Sequence, residues 1–105
     1  MTYMELNPYE PLILVRQDGY RLKARFLFID TTRAAFHVWP AGAAEFELRE
    51  FRDFQLMPDG TLRDVPTKEQ LMNAAIAAGD SNHFGSPATR DRALARCKRW
   101  DIVAA

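Results

Sequence analysis

Between residues 12 and 56, apolar and polar side chains alternate with a period of two, which is typical of strands that bury one face. The alternation is clearest from Tyr20 to Phe28, where apolar residues predicted to face the core are separated by Arg21, Lys23 and Arg25. The pattern predicts strands over residues 12–16, 20–28, 34–39 and 44–48, and a further strand that ends at residue 56. We interpret this region as a meander of five strands.

Turn signals separate the predicted strands. The Asp-Gly pair at residues 18–19 favours a two-residue hairpin turn, because both positions tolerate a positive φ angle. The Pro-Asp-Gly triplet at residues 58–60 is a strong turn signal after the last strand. Phe51 and Phe54 are three residues apart, which breaks the period of two, so we expect a β-bulge or corner near residues 51–53.

The C-terminal part of the chain begins with a helix signal. Thr67 and Gln70 match a capping box, which favours a helix over residues 68–78, with Gly79 directly after its end. The apolar stripe predicted for this helix consists of Leu71, Met72, Ala75 and Ile76.

A second helix is predicted over residues 87–100, because Ser86 is a good N-cap and Pro87 suits the first helical position. Its buried side is predicted to carry Ala93, Leu94, Cys97 and Trp100. The element order predicts a single α+β domain over residues 1–105: a five-stranded antiparallel, strongly bent sheet or SH3-like barrel, followed by two C-terminal helices.

Composition restricts the class of protein. Hydrophobic residues make up 48% of the 105 residues, which excludes a disordered or fibrous chain, and fourteen basic residues balance fourteen acidic ones. Cys97 is the single cysteine, so it forms no intramolecular disulfide and cannot alone hold a structural zinc ion. The early apolar run at residues 12–15 is too short for a signal peptide or a membrane span. We therefore expect a cytoplasmic protein with no membrane contact.

The hairpin register brings several polar side chains together on the face away from the predicted core. It sets Arg25 opposite His37, Lys23 opposite Trp39, and His37 opposite Glu45. A carboxylate would raise the pKa of His37 and an arginine would lower it, which would give a group that titrates near neutral pH. The row is interpreted either as a pH-responsive binding site or general base, or as a solvated, charge-paired sheet face.

Trp39 has two interpretations. As an outward tryptophan near Lys23 and Arg25, it would stack on a base, a ligand ring or a partner's side chain. Alternatively, one of the predicted helices covers it.

Three arginines, Arg92, Arg96 and Arg99, form a stripe along the second predicted helix. Residues 67–105 contain six basic and four acidic side chains, whereas residues 1–66 contain eight and ten. The stripe would meet phosphates or an acidic partner surface, or it is a solvated helix face.

Sequence signatures of common enzymes are missing, among them the glycine-rich phosphate loops and the zinc motifs. Cys97 lies on the apolar side of a predicted helix, where a thiol is usually inert. The segment Asp80-Ser81-Asn82-His83 is either a metal contact or a loop of turn-forming residues. We expect no catalytic residue, no cofactor and no bound metal.

One stretch resembles a known family. Residues 46–54, with the sequence FELREFRDF, are similar to the strand near the end of WYL domains, and Gly19-Tyr20 is similar to the strand that leads into it. WYL domains are SH3-like or Sm-like sensor modules of bacterial and phage-linked regulators. The resemblance implies ligand or nucleic-acid sensing.

The sequence thus predicts a non-catalytic binding or regulatory module, in which Lys23, Arg25, His37 and Trp39 form one contact surface and Arg92, Arg96 and Arg99 another. The expected partner is another protein, and a homodimer is an open alternative. The small size fits an accessory or inhibitor protein of a phage or mobile element. One alternative is a nucleic-acid-binding protein that uses Trp39 and the arginine stripe. Another is a small hydrolase or metal-dependent enzyme that uses His37 and His83.

Overall fold

The structure is a computed structural model that describes residues 1–40, 42–44, 46–79 and 86–105. Within these residues the chain forms six strands and two α-helices, so the fold is α+β. The strands are β1 (Pro11–Arg16), β2 (Arg21–Asp30), β3 (Arg33–Pro40), β4 (Glu50–Leu56), β5 (Leu62–Asp64) and β6 (Arg99–Ala104). The helices are α1 (Lys68–Ala77) and α2 (Pro87–Arg96).

The strands form a closed antiparallel barrel. Each strand pairs with the next one along the chain, and β6 returns after the helices to pair with both β5 and β1. The predicted number of five strands is wrong, because the described residues form six. The three residues of β5 are too few to show a period, and β6 lies where the sequence predicts a helix end.

The barrel interior is apolar and rich in aromatic rings. Phe54 makes edge-to-face contacts with Phe36 and Trp100, at centroid distances of 5.6 and 5.4 Å. The other buried residues of this core are Leu12, Leu14, Leu22, Ala24, Phe26, Ala34, Val38, Leu62 and Ile102. A short 3-10 turn packs Tyr3 against this core, and the Tyr3 hydroxyl donates to the carbonyl oxygen of Met57 at 2.9 Å.

The β-bulge lies in β2 and not near residues 51–53, where it was predicted. The register between β2 and β3 shifts between Phe26 and Phe28, whereas the pairing of β3 with β4 is continuous. The extra residue in β2 turns Phe28 to the outside, where half of its side chain is exposed. The two phenylalanines are three residues apart because they lie on opposite faces of β4: Phe51 faces outwards and Phe54 faces the core.

The strand predicted over residues 44–48 is wrong. Within the described residues, the chain between β3 and β4 consists of turns, bends and irregular backbone. The position beside β3 is taken by β4, in a register that sets Phe51 opposite His37. Phe46 and Leu48, two apolar positions of that predicted strand, are 92% and 91% exposed.

Helix α1 begins at the predicted capping box. The Thr67 side chain accepts from the Gln70 backbone N–H, and the Gln70 side chain accepts from the Thr67 N–H. The predicted apolar stripe is only partly correct, because Ala75 is buried whereas Met72 and Ile76 are exposed. The small side chains of Ala74 and Ala75 face the interior.

Helix α2 starts at the predicted N-cap, Ser86, but ends at Arg96 and not near Trp100. The Arg63 guanidinium donates to the carbonyl oxygens of Leu94 and Cys97, at 3.4 and 2.7 Å. It thus provides hydrogen bonds for carbonyl groups that have no partner within the helix. Residues 99–104 then pair as β6, and Trp100 is buried in the barrel as a strand residue. The gain from burying Trp100 and closing the barrel outweighs the local helical pattern.

Candidate functional site

Four residues predicted as a contact surface, Lys23, Arg25, His37 and Trp39, belong to neighbouring positions of β2 and β3. The predicted register is confirmed here: Arg25 pairs with His37, and Lys23 pairs with Trp39. Because the alternate residues of both strands are buried in the barrel, these four lie on the outer face.

The predicted pairing of His37 with Glu45 is wrong, because the β4 residue opposite His37 is Phe51. Glu45 itself lies outside the described residues. The pKa of His37 is lowered from its ordinary value, first by burial and then by the charge of Arg49. His37 is therefore predominantly neutral at pH 7, unlike a histidine held by a carboxylate.

Trp39 is buried, with 4% of its surface exposed, although it belongs to the outer face. The connection between β3 and β4 holds it, because the indole N–H donates to the carbonyl oxygen of Glu47 at 3.2 Å. The Lys23 ammonium donates to the carbonyl oxygen of Ala43 at 2.9 Å and fixes the same connection. A loop thus covers Trp39, where the sequence left open either an outward indole or one covered by a helix, and the buried indole is not available to stack on a base.

A shallow pocket of about 310 Å³ lies beside this cluster. It is lined by Tyr9, Arg25, His37, Trp39 and Arg49. Tyr9 reaches it from the segment before β1, where its backbone N–H donates to the carbonyl oxygen of Phe26. The pocket adds Tyr9 and Arg49 to the surface that the sequence predicted.

We group four exposed apolar side chains under the name outer patch: Phe28, Phe46, Leu48 and Phe51. The rings of Phe28 and Phe51 contact each other across the outer face, with their centroids 6.5 Å apart. Phe46 and Leu48 precede Phe51 on the same stretch of chain and are almost fully exposed. Each of these side chains exposes half or more of its surface.

The predicted arginine stripe does not exist as one helix face. Arg92 and Arg96 lie on α2, whereas Arg99 lies on β6. The Arg99 guanidinium is 3.7 Å from the Asp101 carboxylate on the same strand. The change of direction at Cys97 therefore separates Arg99 from the other two arginines.

A pocket of about 450 Å³ lies where one end of the barrel meets the two helices. We call it the mouth pocket. It is lined by Arg16, Arg52, Asp53, Asp64, Val65, Thr67, Gln70, Arg96, Cys97 and Lys98. A pocket of this size is typical of small-molecule sites.

Arg52, Asp64 and Trp100 form a compact cluster at this end of the barrel. One oxygen of Asp64 accepts from Arg52 Nη2 and from the indole N–H of Trp100, both at 2.8 Å. The Arg52 guanidinium carbon also lies 5.1 Å from the centre of the Trp100 ring and 4.9 Å from that of Phe54. These contacts fix the orientation of the guanidinium.

Arg16 approaches the same indole from β1. Its guanidinium carbon lies 5.6 Å from the Trp100 ring centre and 4.8 Å from that of Tyr20. Asp18 accepts from Arg16 at 2.8 Å and from Lys98 at 3.2 Å. The hydrogen bond from Arg16, together with those from the Tyr20 N–H and Lys98, holds the pKa of Asp18 well below its usual range.

Cys97 lines the mouth pocket but is 4% exposed. Its thiol donates to the carbonyl oxygen of Ala93 at 3.3 Å. Burial raises the pKa of Cys97, so the thiol is protonated and unreactive at neutral pH.

The segment at residues 80–83, interpreted as either a metal contact or a loop of turn-forming residues, lies outside the described residues, as does His83 of the enzyme alternative. Within the residues that are described, no three His, Cys, Asp or Glu side chains come together as metal ligands. No helix in the described part of the chain is long and apolar enough to cross a membrane.

The sequence interpretation missed the mouth pocket, but a signal for it exists. Arg16 is in phase with the inward-facing Leu14, Arg52 with Phe54, and Asp64 with Leu62. A charged residue that continues an inward-facing alternation at a strand end indicates a polar layer at the mouth of a barrel.

The fold places the protein in the class of small closed antiparallel β-barrels that carry a helical pair before the last strand. Comparisons with protein-family models, with curated proteins and with solved structures found no match to this chain.

Proposed function

We propose that this protein is a non-catalytic binding module that contacts another protein through the outer patch. The observation that supports this most directly is the exposure of Phe46 and Leu48, at 92% and 91%, on the segment that leads to Phe51, whose ring contacts that of Phe28. Large apolar side chains clustered at a surface are costly to hydrate and are typical of interaction sites.

The surroundings of the patch resemble those of protein interfaces. Aromatic and arginine side chains are enriched at such interfaces, and here Tyr9 and Arg49 lie beside the outer face. The rigid sheet below holds Phe28 and Phe51 in place, so little side-chain freedom would be lost on binding.

A nucleic-acid partner is less well supported by the same surfaces. Trp39, the predicted stacking residue, is covered by the loop, and Arg99 is separated from Arg92 and Arg96. With equal numbers of basic and acidic residues, the chain also lacks the charge excess that drives phosphate binding.

The proposal also covers the fold family of the barrel and the way in which the protein acts on its partner. The closed barrel is consistent with an SH3-like fold. The similarity to WYL domains stays a prediction that depends on residues 46–54, of which residues 50–54 belong to β4. Occlusion of a larger protein's surface, as an accessory or inhibitor protein would act, is the mode we propose for so small a module.

Site-specific crosslinking tests the proposal. A photo-reactive benzoylphenylalanine at Phe46 is expected to form an adduct of discrete mass with a protein in extract of the source cells. The same group at Ile76, which is 63% exposed on α1, serves as the matched control and is expected to form none. Mass spectrometry of the adduct identifies the partner, including a second copy of this chain.

Binding measurements with the identified partner complete the test. Phe46→Ser is expected to weaken binding about tenfold or more, whereas Ile76→Ser should change it by less than about twofold. Equal crosslinking at both positions, or an adduct with nucleic acid alone, would contradict the proposal.

A further inference from the structure

The mouth pocket carries a second inference, independent of the outer patch. It lies at the junction of barrel and helices, and its lining side chains come from both. The barrel contributes Arg16, Arg52 and Asp64, and the helical part contributes Thr67, Gln70 and Arg96. A concave surface assembled from separate elements is a common setting for a ligand site.

The pocket is positively charged. Four cationic side chains line it, against the two carboxylates of Asp53 and Asp64. Asp18 lies outside the lining and neutralises part of the charge of Arg16 and Lys98, and even with it the cations outnumber the anions. Arg96 has no ion-pair partner among the described residues.

Arg52 is prepared to bind an anion. Asp64 accepts from one of its terminal nitrogens, while the guanidinium carbon lies within about 5 Å of the ring centres of Phe54 and Trp100. The guanidinium group carries five N–H donors, so most remain for a ligand. A donor group held in place by such contacts loses little conformational freedom when it binds a planar or tetrahedral anion.

The number of cations indicates which anion fits. A carboxylate brings one charge and two oxygens, whereas a phosphate monoester brings close to two charges and three acceptor oxygens. Arginine pairs match phosphate well because each presents parallel N–H donors. Phosphate alone would fill only part of a 450 Å³ pocket, which leaves room for an organic group.

We propose that the mouth pocket binds a small molecule that carries a phosphate monoester, with the phosphate contacting Arg52 of the barrel and Arg96 of α2. Lys98 and Arg16 supply further positive charge at the rim. The site is confined to one pocket, so it takes a single small ligand and not an extended nucleic-acid chain.

Isothermal titration of the wild-type protein with inorganic phosphate, adenosine 5′-monophosphate and adenosine tests this at low ionic strength. Saturable binding of the monophosphate is expected, with weaker binding of inorganic phosphate and none of adenosine. Added salt should weaken the binding, because the contacts are ionic.

Two variants of equal charge locate the site. Arg96→Gln is expected to weaken binding of the monophosphate about tenfold or more, because it removes a charge-assisted contact. Arg92→Gln removes the same charge from an exposed position one turn earlier on α2, outside the pocket lining, and should change binding by less than about twofold.

Tryptophan fluorescence gives a second readout at the pocket itself. The chain has two tryptophans, so Trp39→Phe leaves Trp100 as the sole reporter. Because the Trp100 indole shares Asp64 with Arg52, its emission should change with the same affinity that calorimetry measures.

Three results would overturn the proposal. They are no binding of the monophosphate up to roughly 10 mM, equal weakening by Arg96→Gln and Arg92→Gln, and binding of adenosine or of inorganic phosphate without binding of the monophosphate. Circular dichroism of each variant verifies that it is folded, and both arginines are exposed, so neither change affects the core.

Discussion

Gly60 lies where the N-terminal segment at Thr2 and Tyr3 packs closely against the turn between β4 and β5. Its φ angle is +88°, and a Cβ atom at this position would lie 2.5 Å from Cγ2 and 2.8 Å from Cβ of Thr2. Tyr3 donates its backbone N–H to the Gly60 carbonyl oxygen at 3.4 Å. A side chain at position 60 would therefore displace the turn that holds Tyr3 against the core.

Gly60→Ala is expected to lower the free energy of unfolding by about 2–3 kcal/mol, of which about 1 kcal/mol comes from the positive φ angle and the rest from the overlap with Thr2. Gly19→Ala is the control, because Gly19 has a φ angle of +92° and no atom within 4 Å of the added Cβ. Urea denaturation of both variants measures the difference. Thr2→Gly should restore part of the loss in Gly60→Ala, and an equal cost at both glycines would refute the explanation.

His37 shows how burial and a neighbouring charge together lower the pKa of an outer-face residue. Burial and Arg49 lower the pKa of His37 from its ordinary value of 6.5. The folded chain thus binds a proton at His37 less readily than the unfolded chain does. The stability linked to His37 is complete above about pH 6.5 and decreases as the pH falls towards the folded pKa.

Arg49→Gln is expected to raise the pKa of His37 towards 6.5, because it removes the charge that opposes protonation. Arg33→Gln removes a charge from the other end of β3 and should leave the pKa of His37 unchanged. NMR titration of the His37 ring in a His83→Gln background measures both. A pKa of His37 that does not respond to Arg49→Gln would show that burial alone lowers it.

At the scale of elements, the barrel and the helical pair differ in what they bury. The barrel encloses Phe36, Phe54 and Trp100, whereas the buried residues of α1 and α2 are Ala74, Ala75, Thr89 and Ala93. Small side chains remove less apolar area from water, and hydrophobic stabilisation is roughly proportional to that area. The helices are therefore stabilised less than the strands.

Native-state hydrogen exchange is expected to show this difference. The backbone amide of Ala75 in α1 should exchange through an opening that costs at least ~1–2 kcal/mol less than the opening required for Leu14 in β1 or Ile102 in β6. The reason is that β6 is paired on both sides and lines the core. Equal opening energies, with equal dependence on denaturant, would mean that barrel and helices unfold as one unit.

Some elements were predictable because their signals are local. The capping box at Thr67 and Gln70 and the N-cap at Ser86 act within one helical turn, and both helices begin where these residues predict. The predicted pairing of Arg25 with His37 is also correct, but the turn alone does not fix it. Next to the turn, Asp30 pairs with Arg33, one position away from the predicted register, and the bulge in β2 restores that register.

Other elements were not predictable from local pattern. Phe46 and Leu48 stand at alternating positions, as strand residues do. They belong to no strand, because β4 occupies the position beside β3. The end of α2 depends on Arg63, which is far away in sequence and holds the last carbonyl groups of the helix. A contact of this kind leaves no period in the sequence.

At the scale of the whole molecule, the balance of fourteen basic and fourteen acidic residues conceals two different surfaces. The outer patch is apolar, with Phe28 and Phe51 in contact and Phe46 exposed. The mouth pocket is cationic, and its lining contains four basic residues against two acidic ones. Because the two surfaces share no residue, a protein partner and a small anion could bind at the same time.

The sequence by itself determined the α+β class, the first three antiparallel strands and the starts of both helices. Only the tertiary structure decided that Trp39 is covered, that Trp100 belongs to a strand and that Arg16, Arg52 and Arg96 line one pocket. The physical reason is the range of the interactions. Caps and tight turns form between near neighbours, whereas barrel closure brings together residues that are far apart in the chain.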